Sequence, residues 1–203
     1  MEDSENLDST PSSFISNPPP SKKRFIIPIV VILAVVIVSL MAVKASFQKQ
    51  MRASHQRVEL TEGNEVPDLL FVGLDKQETW LSSLPHKVML INFWATWCEA
   101  CMEEMPSLVQ LRDQYASKGF EVLGVNVDDN PIPVAANTAS KLGIKFPIFT
   151  DRSNSLSDAF DLHAIPLTVI VNKNHKILMV ESGGRDWNSE EIHQLIEKWL
   201  NES

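Results

Sequence analysis

Apolar residues fall into runs of different length and period along this chain, and each kind predicts a different element. Residues 25–43 form an uncharged run of nineteen, rich in Ile and Val. A helix rises about 1.5 Å per residue, so this run nearly crosses a hydrocarbon core of about 30 Å. It has no polar face, which sets it apart from a buried helix of a soluble domain. Further on, short apolar runs at 87–93, 120–127, 146–149, 167–171 and 177–181 read as strands. The last two make a hairpin across residues 172–176. Between the strands the spacing changes to three and four. Met102, Met105, Leu108, Leu111 and Tyr115 lie on one face of a predicted helix over 99–118, and Gly119 stands at its C-cap position. Further helices are predicted over 134–142, closed by Gly143, over 156–160, and over 189–200 with Glu190 and Glu191 in the first turn. Strand–helix–strand implies a parallel pair with a crossover, and the hairpin adds antiparallel strands. The predicted fold is α/β: a mixed central sheet flanked by helices, preceded by an N-terminal transmembrane helix.

The same pattern divides the chain. Residues 1–24 are rich in Ser, Pro, Asn and acids and end in Lys22-Lys23-Arg24; they carry too little apolar material for a core and read as a disordered cytoplasmic tail. Residues 25–43 read as a transmembrane anchor that contacts the lipid bilayer, 44–65 as a juxtamembrane linker and 66–203 as the folded domain. The basic triplet before the anchor favours a cytoplasmic N-terminus, and Pro28 falls in the first helical turn, where it is tolerated. A cleaved leader is the alternative, with Val43-Lys44-Ala45 before Ser46, although the run exceeds the usual length of about 7–15 residues. Either reading puts the domain outside the cytoplasm, on the periplasmic or extracytoplasmic side of the cell (inner) membrane, where disulfides persist.

Charge narrows the partners. The formal net charge is −8, yet the first 57 residues carry seven Lys and Arg against four Asp and Glu. The acid excess therefore lies in the domain, which argues against nucleic acid, because phosphates demand cations.

The two cysteines, Cys98 and Cys101, are too few for a disulfide scaffold or a four-cysteine zinc site. Cys98 stands between a predicted strand and a predicted helix, where unpaired N–H groups and the helix dipole stabilise a thiolate. Cys101 is one turn further on, close enough to close a small disulfide. Cys98 is thus the candidate nucleophile on a substrate disulfide and Cys101 the resolving thiol, with the Cys98–Cys101 disulfide itself in place of a cofactor. A structural bridge over so short a loop would contribute little chain entropy. A copper-binding assembly factor using both thiols and a soft third ligand is the alternative from another class, but the five histidines show no ligand spacing. A peroxidase would need a cysteine outside the pair.

Asn92-Phe93-Trp94-Ala95-Thr96-Trp97-Cys98-Glu99-Ala100-Cys101, followed by Glu104 and Pro106, resembles the TlpA/ResA-like membrane-anchored thioredoxins. The resemblance covers roughly residues 66–201. Pro67-Asp68 resembles the family's opening segment, 129–151 its extra helix-containing segment, and Ile165-Pro166 its cis-proline loop facing the active site. It implies a thioredoxin fold and an extracytoplasmic thiol–disulfide oxidoreductase that reduces disulfides in exported proteins. In the family this often serves apocytochrome c during cytochrome maturation. Electrons would come from a membrane donor of the DsbD/CcdA type; a disulfide-donating oxidase is the alternative within the class. Glu104 lies three residues after Cys101 on the same helical face, and the resemblance favours it as acceptor of the Cys101 proton. Trp97, Glu99, Ile165 and Pro166 are the candidate substrate contacts, whereas Trp94 reads as core and His163 as a surface histidine. Three positions bear on what can be carried over. Ala100 stands where the family commonly has proline, and Leu167 where threonine is frequent. Asn92 takes the place of the buried acid of cytosolic thioredoxins and cannot accept a proton.

Overall fold

The computed structural model describes residues 32, 35–44 and 57–202. The expected tail at 1–24, residues 25–31, 33 and 34 of the expected anchor, and residues 45–56 of the expected linker lie outside the described residues. Residues 35–44 are helical and expose Val35, Val38, Leu40, Met41 and Val43. Ser39 within this stretch donates its hydroxyl proton to the Val35 carbonyl at 2.8 Å. Among the described residues no helix is long and apolar enough to cross a membrane.

The larger unit is built on strands β1 (Leu70–Gly73), β2 (Glu78–Trp80), β3 (Val88–Trp94), β4 (Phe120–Asn126), β5 (Ile148–Thr150), β6 (Leu167–Asn172) and β7 (Ile177–Ser182). They form one sheet in the order β2-β1-β5-β4-β3-β6-β7. The central pairs β3–β4 and β4–β5 are parallel, and the outer pairs are antiparallel. Helix α1 (Glu99–Tyr115) crosses from β3 to β4, α2 (Pro131–Leu142) from β4 to β5, and α3 (Ser155–Ala159) precedes β6. Helix α4 (Glu190–Glu202) ends the described chain. This is the mixed, helix-flanked sheet that the hydrophobic pattern predicts.

Strand β3 organises both cores, because successive side chains of a strand point to opposite faces. Val88, Leu90 and Trp94 join Leu108, Leu111 and Tyr115 of α1 and Ile192 and Ile196 of α4. Met89, Ile91 and Phe93 join Phe71, Leu81, Phe149 and Phe160 on the other face. Phe93 is fully buried, its ring 5.0 Å from that of Phe160. Phe93→Ala is expected to destabilise the domain by about 3–5 kcal/mol, read as a lower urea midpoint at unchanged slope.

Three features differ from the sequence expectation. The hairpin β1–β2 was not foreseen: its strands are only four and three residues long, and β2 (Glu-Thr-Trp) has no apolar run. The packed domain also begins before residue 66. Val58 is buried and donates its N–H to the Ala159 carbonyl at 2.6 Å. Gly63 N–H bonds to the Ile177 carbonyl and Ile177 N–H to the Asn64 carbonyl, both at 2.8 Å. Backbone hydrogen bonds hold this polar stretch, so its side-chain pattern reads as linker. Finally, α2 starts at Pro131, where a proline at the first helical position loses no helical bond.

Candidate active site

The site sits where β3 hands over to α1. After Trp94 the chain turns through Ala95-Thr96-Trp97, and Cys98 N–H bonds to the Ala95 carbonyl at 3.2 Å. The turn is tied down by Asp128 beyond β4, whose carboxylate accepts from Thr96 N–H at 3.0 Å and from the Thr96 hydroxyl at 2.9 Å. Cys98 is the N-cap of α1 in extended conformation, and its Sγ accepts from Cys101 N–H at 3.2 Å. The two cysteines are joined as a disulfide with a Cα–Cα distance of 5.2 Å, ordinary for such a bond. Cys98 is 7% exposed and Cys101 wholly buried, so only the first sulfur is open to a partner.

The Ile165 carbonyl oxygen lies 3.8 Å from Cys98 Sγ, and the Ile165–Pro166 peptide is cis. Trp97 is 70% exposed, the one exposed large apolar side chain among residues 57–202. Glu99 is exposed on the first turn of α1. Trp94 is fully buried and reaches Gly124, where a side chain would meet its Nε1 at 3.2 Å and Phe146 at 3.0 Å. His163 is exposed and sits 3.2 Å from the Asp161 carboxylate.

Glu104 is only 3% exposed, one turn after Cys101. Its Oε1 accepts from Asn92 Nδ2 at 2.8 Å. Its Oε2 accepts from Trp187 Nε1 at 2.9 Å and from Arg185 N–H at 3.3 Å. Asn92 Nδ2 also donates to Thr168 Oγ1 at 3.0 Å. Burial pushes the Glu104 carboxyl above the usual range; hydrogen bonds from Trp187, Asn92 and Arg185 oppose this, and the negative charge of Glu181 adds to it. A cleft of about 390 Å³ between Ala100 and Glu103 on one side and Gly184 and Arg185 on the other includes Glu104 in its wall. Among the described residues no group of three or more His, Cys, Asp or Glu could hold a metal ion.

Sequence reasoning missed Thr168, Arg185 and Trp187 as members of this site, and it saw in Asn92 only a lost acid. Asn92 and Thr168 meet through the register of β3 with β6, which no spacing in the sequence shows. One signal was available. Trp187 is a lone aromatic in the polar stretch Gly183-Gly184-Arg185-Asp186-Trp187-Asn188, and so large an apolar side chain needs a place to be buried.

The redoxin family model matches residues 61–196. Thiol-disulfide oxidoreductase ResA of Bacillus subtilis (strain 168) is 32% identical over 124 residues, covering 61% of this chain and 69% of that protein. ResA of Geobacillus thermodenitrificans (strain NG80-2) is 31% identical over 142 residues, covering 70% of this chain and 80% of that protein. The crystal structure of a protein described as thiol:disulfide interchange protein DsbE, from Chlorobium tepidum, matches with a TM-score of 0.63 at 26% identity, over 70% of this chain and 99% of that chain. The site just described is a cysteine pair at the strand–helix junction of a thioredoxin fold, and the chain belongs to the redoxin family as a thiol–disulfide oxidoreductase of ResA/DsbE type, acting on thiols or disulfides.

Proposed function

We propose that the protein is a membrane-anchored, extracytoplasmic reductase of disulfides in exported proteins, with Cys98 as nucleophile, Cys101 as resolving thiol and Glu104 as proton acceptor. In the reduced enzyme the Cys98 thiolate attacks a substrate disulfide, forms a mixed disulfide and expels one substrate thiolate, which takes up a proton. Cys101 then gives its proton to Glu104 and attacks Cys98 Sγ. The second substrate thiolate leaves, and the Cys98–Cys101 disulfide is the product on the enzyme. Two electrons have passed to the substrate, so a dithiol donor must return them; a membrane partner of DsbD/CcdA type has that chemistry. Trp97 offers a flat apolar surface beside Cys98, with Glu99 next to it. The Ile165 carbonyl, held by Pro166, lies where an extended substrate chain could donate an N–H. Apocytochrome c, whose haem-attaching thiols must be reduced, is a substrate of the right class.

The direction rests on the charges around the pair. Glu99, Glu103 and Glu104 all lie within two turns of Cys98 on α1, and Arg185, which lines the same cleft, is engaged by Glu181 at 2.7 Å and Glu191 at 3.2 Å. A strong oxidant such as DsbA needs its reduced form stabilised, and carboxylates beside a thiolate do the opposite. The anchor is supported by the apolar side chains exposed along residues 35–44 and by the Ser39 hydroxyl bonded back within its own helix. Thiol trapping of the full-length protein in graded dithiol buffers measures the potential. A value well below about −200 mV is expected; one near about −120 mV would reverse the direction and make the protein a disulfide donor.

A further inference from the structure

We infer that Trp187 is a positioning residue for the reaction: its indole N–H, carried on the 183–187 loop, holds Glu104 in the orientation and ionised form in which it takes the Cys101 proton. The inference rests on the reading of Glu104 as that acceptor, and it adds the part of the molecule that makes the acceptor competent.

The loop is strapped to the cis-proline turn and to the active-site helix. Gly183 N–H bonds to the Pro166 carbonyl at 2.9 Å. Gly184 approaches so closely that a Cβ there would meet the Ala100 carbonyl oxygen at 3.2 Å, a tight contact that a side chain could make only if loop or helix shifted slightly. Trp187 N–H bonds to Ser107 Oγ at 3.0 Å, and that hydroxyl donates to the Glu104 carbonyl at 2.7 Å. Backbone and indole of Trp187 therefore grip the same turn of α1. The Arg185 guanidinium lies 5.4 Å from the Trp187 ring and spans Glu181 on β7 and Glu191 on α4.

This arrangement has a chemical consequence. An indole can donate and never accept. It bonds well to a carboxylate oxygen and offers nothing to the proton of a neutral acid. Trp187 is fully buried, so no water can replace it without opening the core. Oε2 is fixed by the loop and Oε1 by Asn92, so the carboxylate is held in one orientation, one turn along α1 from Cys101. The charged groups around Glu104 are Glu103 on its own helix, Glu181 on β7, Arg185 and Asp186 on the loop, and Glu191 through Arg185. Arg185 offsets one of the two charges of Glu181 and Glu191, and the indole adds the uncharged donor that favours ionisation against burial.

Trp187→Phe keeps the buried ring and removes the donor. The full-length protein, carrying carbon-13 in its glutamate carboxyls, is titrated by NMR in detergent micelles. The Glu104 signal is assigned by its absence in Glu104→Gln. The titration midpoint in Trp187→Phe is expected to rise by about one pH unit, the size of a lost hydrogen bond to a charged group. The pH profile of mixed-disulfide resolution is expected to rise with it. An unmoved midpoint in a folded Trp187→Phe overturns the inference. If that variant does not fold, Ser107→Ala frees the Trp187 backbone from α1 and is expected to raise the midpoint less, in the same direction; an unmoved midpoint there is equally fatal. The two readings separate cleanly. A midpoint that rises while the rate profile stays in place upholds Trp187 as the holder of Glu104 and removes Glu104 as acceptor. A midpoint that stays while Glu104→Gln slows resolution does the reverse.

Discussion

Cys98→Ser is expected to reduce disulfide turnover to the uncatalysed background, whereas Cys101→Ser is expected to accumulate substrates covalently bound to Cys98. The asymmetry follows from burial and placement. Cys98 caps α1, its Sγ accepts from Cys101 N–H, and it is the sulfur with exposed surface. A serine hydroxyl at that place is not ionised near neutral pH and cannot form a mixed disulfide, so the first step is lost. Cys101 is wholly buried, and in the proposed mechanism it serves only the second step. With serine there, the mixed disulfide forms and has no internal attacker to release it. Non-reducing gels of membranes from cells expressing each variant make the comparison: thiol-sensitive adducts with Cys101→Ser and none with Cys98→Ser. Adducts that survive Cys98→Ser and vanish with Cys101→Ser would exchange the two roles.

Glu104→Gln is expected to slow resolution of the mixed disulfide by about 10²–10⁴-fold, the usual range for a positioned proton acceptor. It also changes how stability depends on pH. The Glu104 carboxyl is raised by burial above its unfolded value, which is near 4.3. The native state therefore holds this proton more tightly than the unfolded chain, and stability from this group falls as pH rises. Its contribution is fully present below the unfolded value and is lost as pH climbs through the raised native one. Glutamine does not titrate, and the other acids cancel in the comparison. The difference in unfolding free energy, wild type minus Glu104→Gln, should thus be largest near pH 4 and shrink with rising pH to a plateau. Glutamine also accepts through one atom only, so either Asn92 or the Trp187 and Arg185 donors lose their partner. That loss costs about 1–3 kcal/mol throughout. Urea unfolding at several pH values measures both effects, and a difference that grows with pH would show that Glu104 is more acidic in the folded protein than in the unfolded chain.

Much of the fold was legible because its signals are local. The apolar run of β3, the three-and-four spacing of α1 and the glycines that close the turn after α1 and the end of α2 all lie within one element or near its edge. Gly119 and Gly143 take the left-handed conformation that such ends require. The cysteine pair was legible for the same reason: strand, turn, Cys98 and helix follow one another within a dozen residues, and the helix N-terminus is a property of that short stretch. What holds Glu104 is of another kind. Trp187 lies 83 residues along the chain from it and Arg185 lies 81, and Asn92 meets Thr168 across 76. No period or spacing connects such positions; they meet because the antiparallel register of β3 with β6 and the return of the chain from β7 to α4 bring them to one buried spot. The sequence determined that a redox pair stands at a helix N-terminus on a mixed sheet. That the acid beside it is buried, clamped by three donors and raised in proton affinity follows from long-range packing, because burial and hydrogen bonding come from the other segments around it.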